Sequence, residues 1–236
     1  MIILTREPAA RKKGYFKILV DHTEEEIEHK EEIEELFPGL FEEPLELFIS
    51  EEVLFRRSLI AGEQIAARDL AELMAADELV KAKDIALRYL DFKMRTKNEV
   101  NSKLKDSGFS EAVTRQTIDA IEQYGFLDDH GYARLYSKDR IRQRGARVIE
   151  HELIQKGIDK EFAVTLLEEM KDLEYDAALA ACLKKYLSLQ NRGSDDQEIK
   201  DKVYRFLISR GYDFGLIKKV YNITLEQAKE DQTKEE

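Results

Sequence analysis

Apolar residues follow two different patterns along this chain. Near the start, Ile2-Ile3-Leu4 and Tyr15-Phe16-Lys17-Ile18-Leu19-Val20 flank the polar turn signal Arg11-Lys12-Lys13-Gly14. Two short β-rich runs around a glycine turn predict a hairpin. Glu46-Leu47-Phe48-Ile49 predicts a third strand, with helices over Val53–Ser58 and Ala66–Ala76 completing a small α+β cap. Between them, Thr23 to Glu35 is dense in glutamate, with Ile27, Ile33 and Leu36 as its apolar spine and Phe37-Pro38-Gly39 as its stop. Such a run predicts a solvated helix or mobile insertion rather than an acidic binding tail.

From Ala82 the pattern becomes helical and repeats itself. Leu104-x-x-x-Gly108-Phe109, Leu153-x-x-x-Gly157-Ile158 and Leu207-x-x-x-Gly211-Tyr212 share one signature, each with a β-branched residue four positions earlier (Val100, Ile149, Val203). The glycines are spaced by 49 and then 54 residues, and the polar loop Gln190–Asp196 accounts for the longer interval. A helix that ends on glycine can close its last turn in the left-handed conformation, and the apolar residue after it docks back. A second amphipathic stretch follows each glycine: Val113, Ile118, Ile121 and Tyr124 in the first repeat; Phe162, Leu166, Leu167 and Met170 in the second. An aromatic helix precedes each: Leu87-x-Tyr89-Leu90, Tyr132-x-x-Leu135-Tyr136 and Leu183-x-x-Tyr186-Leu187.

The expected fold is therefore mostly α, with tandem three-helix repeats in an elongated or arched array behind a small N-terminal hairpin/helix cap. The expected boundaries are 1–80 for the cap with its acidic insertion, 81–128, 129–175 and 176–224 for the repeats, and 225–236 for a charged tail. No such unit buries its faces alone, so the three should stack.

Composition agrees: Gly (11) and Pro (3) are scarce and 37% of residues are charged, the balance of a helical protein with a large solvated face. The lone Cys182 sits among Ala and Leu as a core residue would, and it has no intramolecular disulfide partner. With neither a signal-peptide pattern nor a membrane-length apolar run, a cytoplasmic protein is expected.

Charge changes the picture more. The net value is −11, yet residues 81–158 hold 16 Lys+Arg against 12 Asp+Glu, whereas 1–80 hold 9 against 20 and 159–236 hold 13 against 17. The basic surplus concentrates in Lys138, Arg140, Arg142, Arg144 and Arg147, opposed only by Asp139. Such a cluster can neutralise phosphates or meet an acidic protein face; the alternative is a solvated helix end, where cations also collect.

Other chemistry is not supported. Asp128-Asp129 ahead of Tyr132 fits a helix start better than an acid/base pair. His22, His29, His130 and His151 have no ligand spacing, so no metal is expected, and the glycines form no phosphate loop, so no cofactor is expected. No nucleophile elbow occurs, and a hydrolase with paired carboxylates finds no constellation. The tyrosines at helical spacing (Tyr89, Tyr132, Tyr136, Tyr186) fit packing better than base stacking.

Three linked runs carry a family likeness. The first is Arg95-Thr96-x-x-Glu99-Val100-x-x-Lys103-Leu104-x-x-x-Gly108-Phe109; the second is Tyr124-Gly125-Phe126-Leu127-Asp128-Asp129-x-x-Tyr132-Ala133-x-x-Tyr136. The third is Gly145-Ala146-Arg147-Val148-Ile149-Glu150-x-Glu152-Leu153-x-x-Lys156-Gly157-Ile158. In order and spacing they resemble the RecX family of RecA recombinase modulators, over roughly residues 81–220. Ala146 stands where that family often has proline, the acidic run 23–44 is an insertion relative to its short hairpin, and the third repeat is the least similar. The resemblance implies a non-enzymatic, cytoplasmic, monomeric regulator. Such a protein binds the RecA filament on single-stranded DNA and restrains its ATPase, coprotease and strand-exchange activities. On that expectation Arg140, Arg142, Arg144, Arg147 and Lys138 form the partner-binding contact, supported by Arg95 and Lys97, and weak direct contact with DNA stays open. A helix-turn-helix-like DNA-binding protein is the alternative; the acidity of the chain outside its middle weighs against it.

Overall fold

The computed structural model describes residues 1–10, 12–38, 40, 41, 45–57 and 59–235, with the backbone alone for 230–235. Arg11 of the expected turn, the expected breaker Gly39, the end of the acidic run at 42–44, the expected helix end at Ser58 and the final Glu236 lie outside the described residues. Contacts divide the chain into two units, Met1–Lys93 with Val100–Phe126, and Met94–Glu99 with Leu127–Glu236.

The first unit opens with an antiparallel sheet in the order β1 (Ile2–Pro8), β2 (Tyr15–Asp21), β3 (Leu45–Ser50). Alternation explains which face is buried. Leu45, Leu47 and Ile49 of β3 point inward while Glu46 and Phe48 point out, so the apolar set meets Ile3 and Ile18 in one core. The acidic run folds as α1 (Glu24–Glu28) and α2 (Lys30–Leu36), α1 starting at a reciprocal Thr23/Glu26 capping box. After α3 (Glu51–Arg56) comes α4 (Ala67–Asp91), whose Leu70 and Leu73 close the core. The helix expected over Ala66–Ala76 thus runs on to Asp91 without a break. Asp77, only 1% exposed, fixes α4 to β3: its Oδ1 accepts the Ser50 N–H at 2.6 Å and its Oδ2 pairs with Lys81. Lys81 Nζ also donates to the Phe48 carbonyl at 2.9 Å. A buried carboxylate without such partners would be strongly destabilising.

α5 (Lys97–Asp106) is divided between the units, and α6 (Glu111–Gln123) packs on α4 in the first. The buried line of α6 is Thr114, Thr117 and Ile121, not the expected Val113, Ile118, Ile121 and Tyr124; Tyr124 stands at the helix C-terminus and is exposed.

The second unit is helical: α7 (Asp129–Arg140), α8 (Ala146–Gln155), α9 (Lys160–Glu169), α10 (Lys171–Gln190), α11 (Asp196–Ser209) and α12 (Phe214–Glu235). Ile149, Leu153, Ala163 and Leu166 centre one core, and Cys182, Val203, Leu207 and Ile217 another. Helices end where the glycines predict. Gly108, Gly157 and Gly211 have φ of 90°, 85° and 88°, and the N–H of Phe109, Ile158 and Tyr212 returns to the carbonyl of Leu104, Leu153 and Leu207 at 3.2, 3.0 and 3.3 Å. That is the bond a left-handed helix end requires. The next residue then starts the following helix: Ser110 accepts from Val113 N–H, and Asp159 from Phe162 N–H.

Candidate partner-binding surface

The basic residues sit on and beside the turn from α7 to α8, and that turn is held from both sides. Asp128 caps α7 by accepting the Gly131 N–H at 2.8 Å, as expected of a helix start. Ile141, fully buried, anchors the far end. Gly145 donates its N–H to the Arg210 carbonyl at 2.8 Å, and Ala146 donates to Glu174 Oε1 at 2.7 Å. These contacts hold the backbone of the turn at both ends.

The cations nevertheless divide into two kinds. Arg140 lies in a fork with Glu152, Nε to Oε2 at 3.2 Å and Nη2 to Oε1 at 3.0 Å, and the Tyr136 hydroxyl donates to the same carboxylate at 2.7 Å. Burial alone would raise the Glu152 carboxyl; the hydrogen bonds from Tyr136 and Arg140, then the charges of Arg140 and Arg144, outweigh it and hold the group below the usual range. Arg147 pairs with Asp213 at 2.7 Å. Lys138, Arg142 and Arg144 are exposed, and no ion pair within 4 Å engages any of them among the described residues.

Arg95 and Lys97 are half-buried. Arg95 faces Glu99 at 3.9 Å, and Lys97 donates its backbone N–H to Asp129 Oδ1 at 2.9 Å. Glu99 in turn receives Lys156 Nζ at 2.9 Å, and Lys156 lies 5.5 and 5.7 Å above the rings of Tyr132 and Tyr136, themselves stacked at 5.8 Å. Burial would raise Glu99, but bonds from Lys156 and the Thr96 N–H outweigh it and lower the group; Lys156 is raised, its bonds to Glu99 and Tyr132 overcoming burial. The structure therefore joins Arg95 and Arg140 through one array, Arg95–Glu99–Lys156–tyrosines–Glu152–Arg140; Lys138 and Arg142 lie outside it, and Arg144 touches it only through its charge on Glu152.

Sequence reasoning overlooked Glu99 and Glu152 as partners of these cations, and Lys156 as the cation that links Glu99 to the tyrosines. One signal was present. Thr96-x-x-Glu99 is a capping box, with Thr96 N–H donating to Glu99 Oε2 at 3.1 Å and Glu99 N–H to Thr96 Oγ1 at 3.2 Å. Among the described residues, no group of three or more His, Cys, Asp or Glu side chains could hold a metal ion, and no helix is long and apolar enough to cross a membrane.

Comparison with known proteins agrees with this architecture. Family models described as the first, second and third three-helix domains of RecX match residues 82–119, 128–166 and 172–221. Regulatory protein RecX of Clostridium botulinum is 31% identical over 173 residues, 73% of this chain and 82% of the relative. That of Clostridium beijerinckii is 33% identical over 165 residues, 70% and 78%. The RecX of Lactobacillus delbrueckii subsp. bulgaricus, 25% identical, aligns over 98% of this chain and 78% of its own. Among solved structures, a crystal structure of regulatory protein RecX superposes with a TM-score of 0.66 at 22% identity, covering 94% of this chain and 98% of the other. RecX from Lactobacillus salivarius gives 0.59 at 23%, covering 63% and 97%. At those identities the superpositions show the fold alone.

Proposed function

The chain belongs to the RecX family of regulatory proteins, and from that premise we propose that it acts by binding, without catalysis, on the RecA filament assembled on single-stranded DNA in the cytoplasm. Binding restrains the ATPase, coprotease and strand-exchange activities of the filament. The protein acts as a monomer, with three-helix repeats over 81–128, 129–175 and 176–224. The observation that carries this reading is the turn from α7 to α8. Lys138, Arg142 and Arg144 project from a backbone pinned by Gly145 and Ala146, with no ion partner among the described residues. A backbone already fixed removes the loop-ordering cost of meeting a negative surface, so that only side chains remain to be ordered. Arg140, Arg147, Arg95 and Lys97 support that contact, the first three through the ion pairs that set the geometry around it.

A charge contact of this kind weakens steeply as salt rises. The test is fluorescence anisotropy with labelled protein, RecA filaments on single-stranded DNA, and bare single-stranded DNA at increasing salt. Saturable, salt-sensitive binding to the filament that exceeds binding to bare DNA supports the reading. Equal affinity for both replaces it with a DNA-binding function, and no filament binding at low salt removes it.

A further inference from the structure

Two segments of the second unit, the end of α7 with its following turn and the start of α10, line one cleft. Lys138 comes from the last turn of α7, Ile141 and Arg142 from its cap and the turn that follows, and Leu173, Asp176 and Ala177 from the start of α10; together they line a space of about 260 Å³. Leu173, Asp176 and Ala177 have the i, i+3, i+4 spacing that places side chains on one face of α10. The floor is apolar: Ile141 is buried, Ala177 half-buried, and Leu173 remains 49% exposed although it is a large aliphatic residue. One rim carries the two unpaired cations and the other the exposed Asp176.

We propose that this cleft is a docking site for an extended protein segment in which a single large apolar side chain, Leu or Phe, is flanked by a carboxylate. The apolar side chain fills the floor; a cavity of roughly 150 Å³ already holds a benzene ring, so the space suffices for one such group and part of its backbone. The carboxylate meets Lys138 and Arg142. Nucleic acid fits worse. The lining residues include no aromatic ring on which a base could stack, and Asp176 repels a phosphate at the opposite rim. The cleft thus deepens the filament-binding proposal, on which it rests for its partner. It assigns Lys138 and Arg142 to a protein surface and adds Leu173 as the specificity-determining contact that charge alone does not supply.

The experiment has two arms. In the first, a fluorescent peptide with a central Leu and one adjoining Asp, and a control with Lys in place of Asp, are titrated against the full-length protein, the Leu173→Ser variant and the Lys138→Gln/Arg142→Gln variant. Saturable binding of the acidic peptide below about 1 mM is expected, lost in both variants and absent with the Lys control. No saturable binding of the acidic peptide, or equal binding by Leu173→Ser, overturns the cleft whatever the filament does. In the second arm the same proteins are titrated against RecA filaments and bare single-stranded DNA. Leu173→Ser should weaken filament binding about tenfold or more, the order expected for removing one buried aliphatic side chain, with DNA binding and salt dependence unchanged. Parallel loss on filament and DNA assigns the cleft to nucleic acid and overturns the proposal. Peptide binding without filament binding overturns the proposed function and leaves the cleft. Leu173 is half exposed, and unchanged circular dichroism of its variant separates lost docking from lost folding.

Discussion

A Cβ placed on Gly145 would fall 2.3 Å from the carbonyl oxygen of Gly211. The two backbones touch there, where the Gly145 N–H bonds to Arg210, and the start of α8 rests on the end of α11. The equivalent contact one repeat earlier has Thr96 Oγ1 donating to the Lys156 carbonyl at 2.7 Å, beside Gly157. In both, the residue just before the second helix of one repeat bonds to the carbonyl just before the terminal glycine of the next.

Substitutions at the glycines should therefore differ in cost. Gly108→Ala forces a left-handed alanine into open space and should cost about 1 kcal/mol. Gly145→Ala has no φ penalty yet collides with backbone, so it should cost about 2 kcal/mol or more. Urea unfolding of both variants checks the order; Gly145→Ala as stable as wild type would mean the backbones are not in contact.

Removing a paired and an unpaired arginine should differ in its effect on stability. Arg140→Gln leaves Glu152 and Tyr136 without their cation and should lower stability by about 1 kcal/mol, a modest figure because the Arg140 side chain is 39% exposed. Arg144→Gln should leave the thermal midpoint nearly unchanged. Differential scanning calorimetry of the two variants decides, and equal destabilisation would contradict the distinction.

Acid should weaken the second unit through the same array. Glu99 and Glu152 lie below their ordinary values, so their contribution is complete above about pH 4.5 and fades as pH falls through the lowered values. Lys156 is raised, so its contribution is present at neutral pH and fades only above about pH 10.4. Glu174 opposes the acid trend: burial first, then nearby Asp213 and Glu168, raise it, so its protonation favours the folded state. Thermal midpoints followed from about pH 7 down to 3 should fall less steeply for Glu152→Gln than for wild type; parallel curves would remove the array from the acid response.

How far the sequence was legible follows from where each signal lies. The ends of α5, α8 and α11 were readable because a helix terminating on glycine is decided by a few adjacent residues. Strand alternation in β3 was local as well. The length of α4 was not anticipated, although Ala67–Asp91 contains neither glycine nor proline to stop it. Hydrophobicity points Tyr124 inward, but it occupies the cap of α6, and Thr114 and Thr117 take the buried positions instead. The basic cluster was visible as composition. Which arginines were engaged was not, because Glu152 is twelve residues from Arg140 and Asp213 is 66 from Arg147, and only tertiary packing brings them together.

Chelation should change nothing. With no metal-binding group among the described residues, a strong chelator is expected to leave the thermal midpoint and filament binding as they were; a drop in either would require an ion that these side chains do not account for.

The central claim, that the unpaired cations of the turn from α7 to α8 contact the filament, is tested most directly by RecA ATP hydrolysis on single-stranded DNA. Wild type is titrated beside a Lys138→Gln/Arg142→Gln/Arg144→Gln variant that leaves Arg140 and Arg147 in their ion pairs. The account predicts that wild type suppresses hydrolysis while the variant, with unaltered helical content, needs at least about tenfold more protein for the same suppression. Suppression by the variant at wild-type concentrations would contradict it.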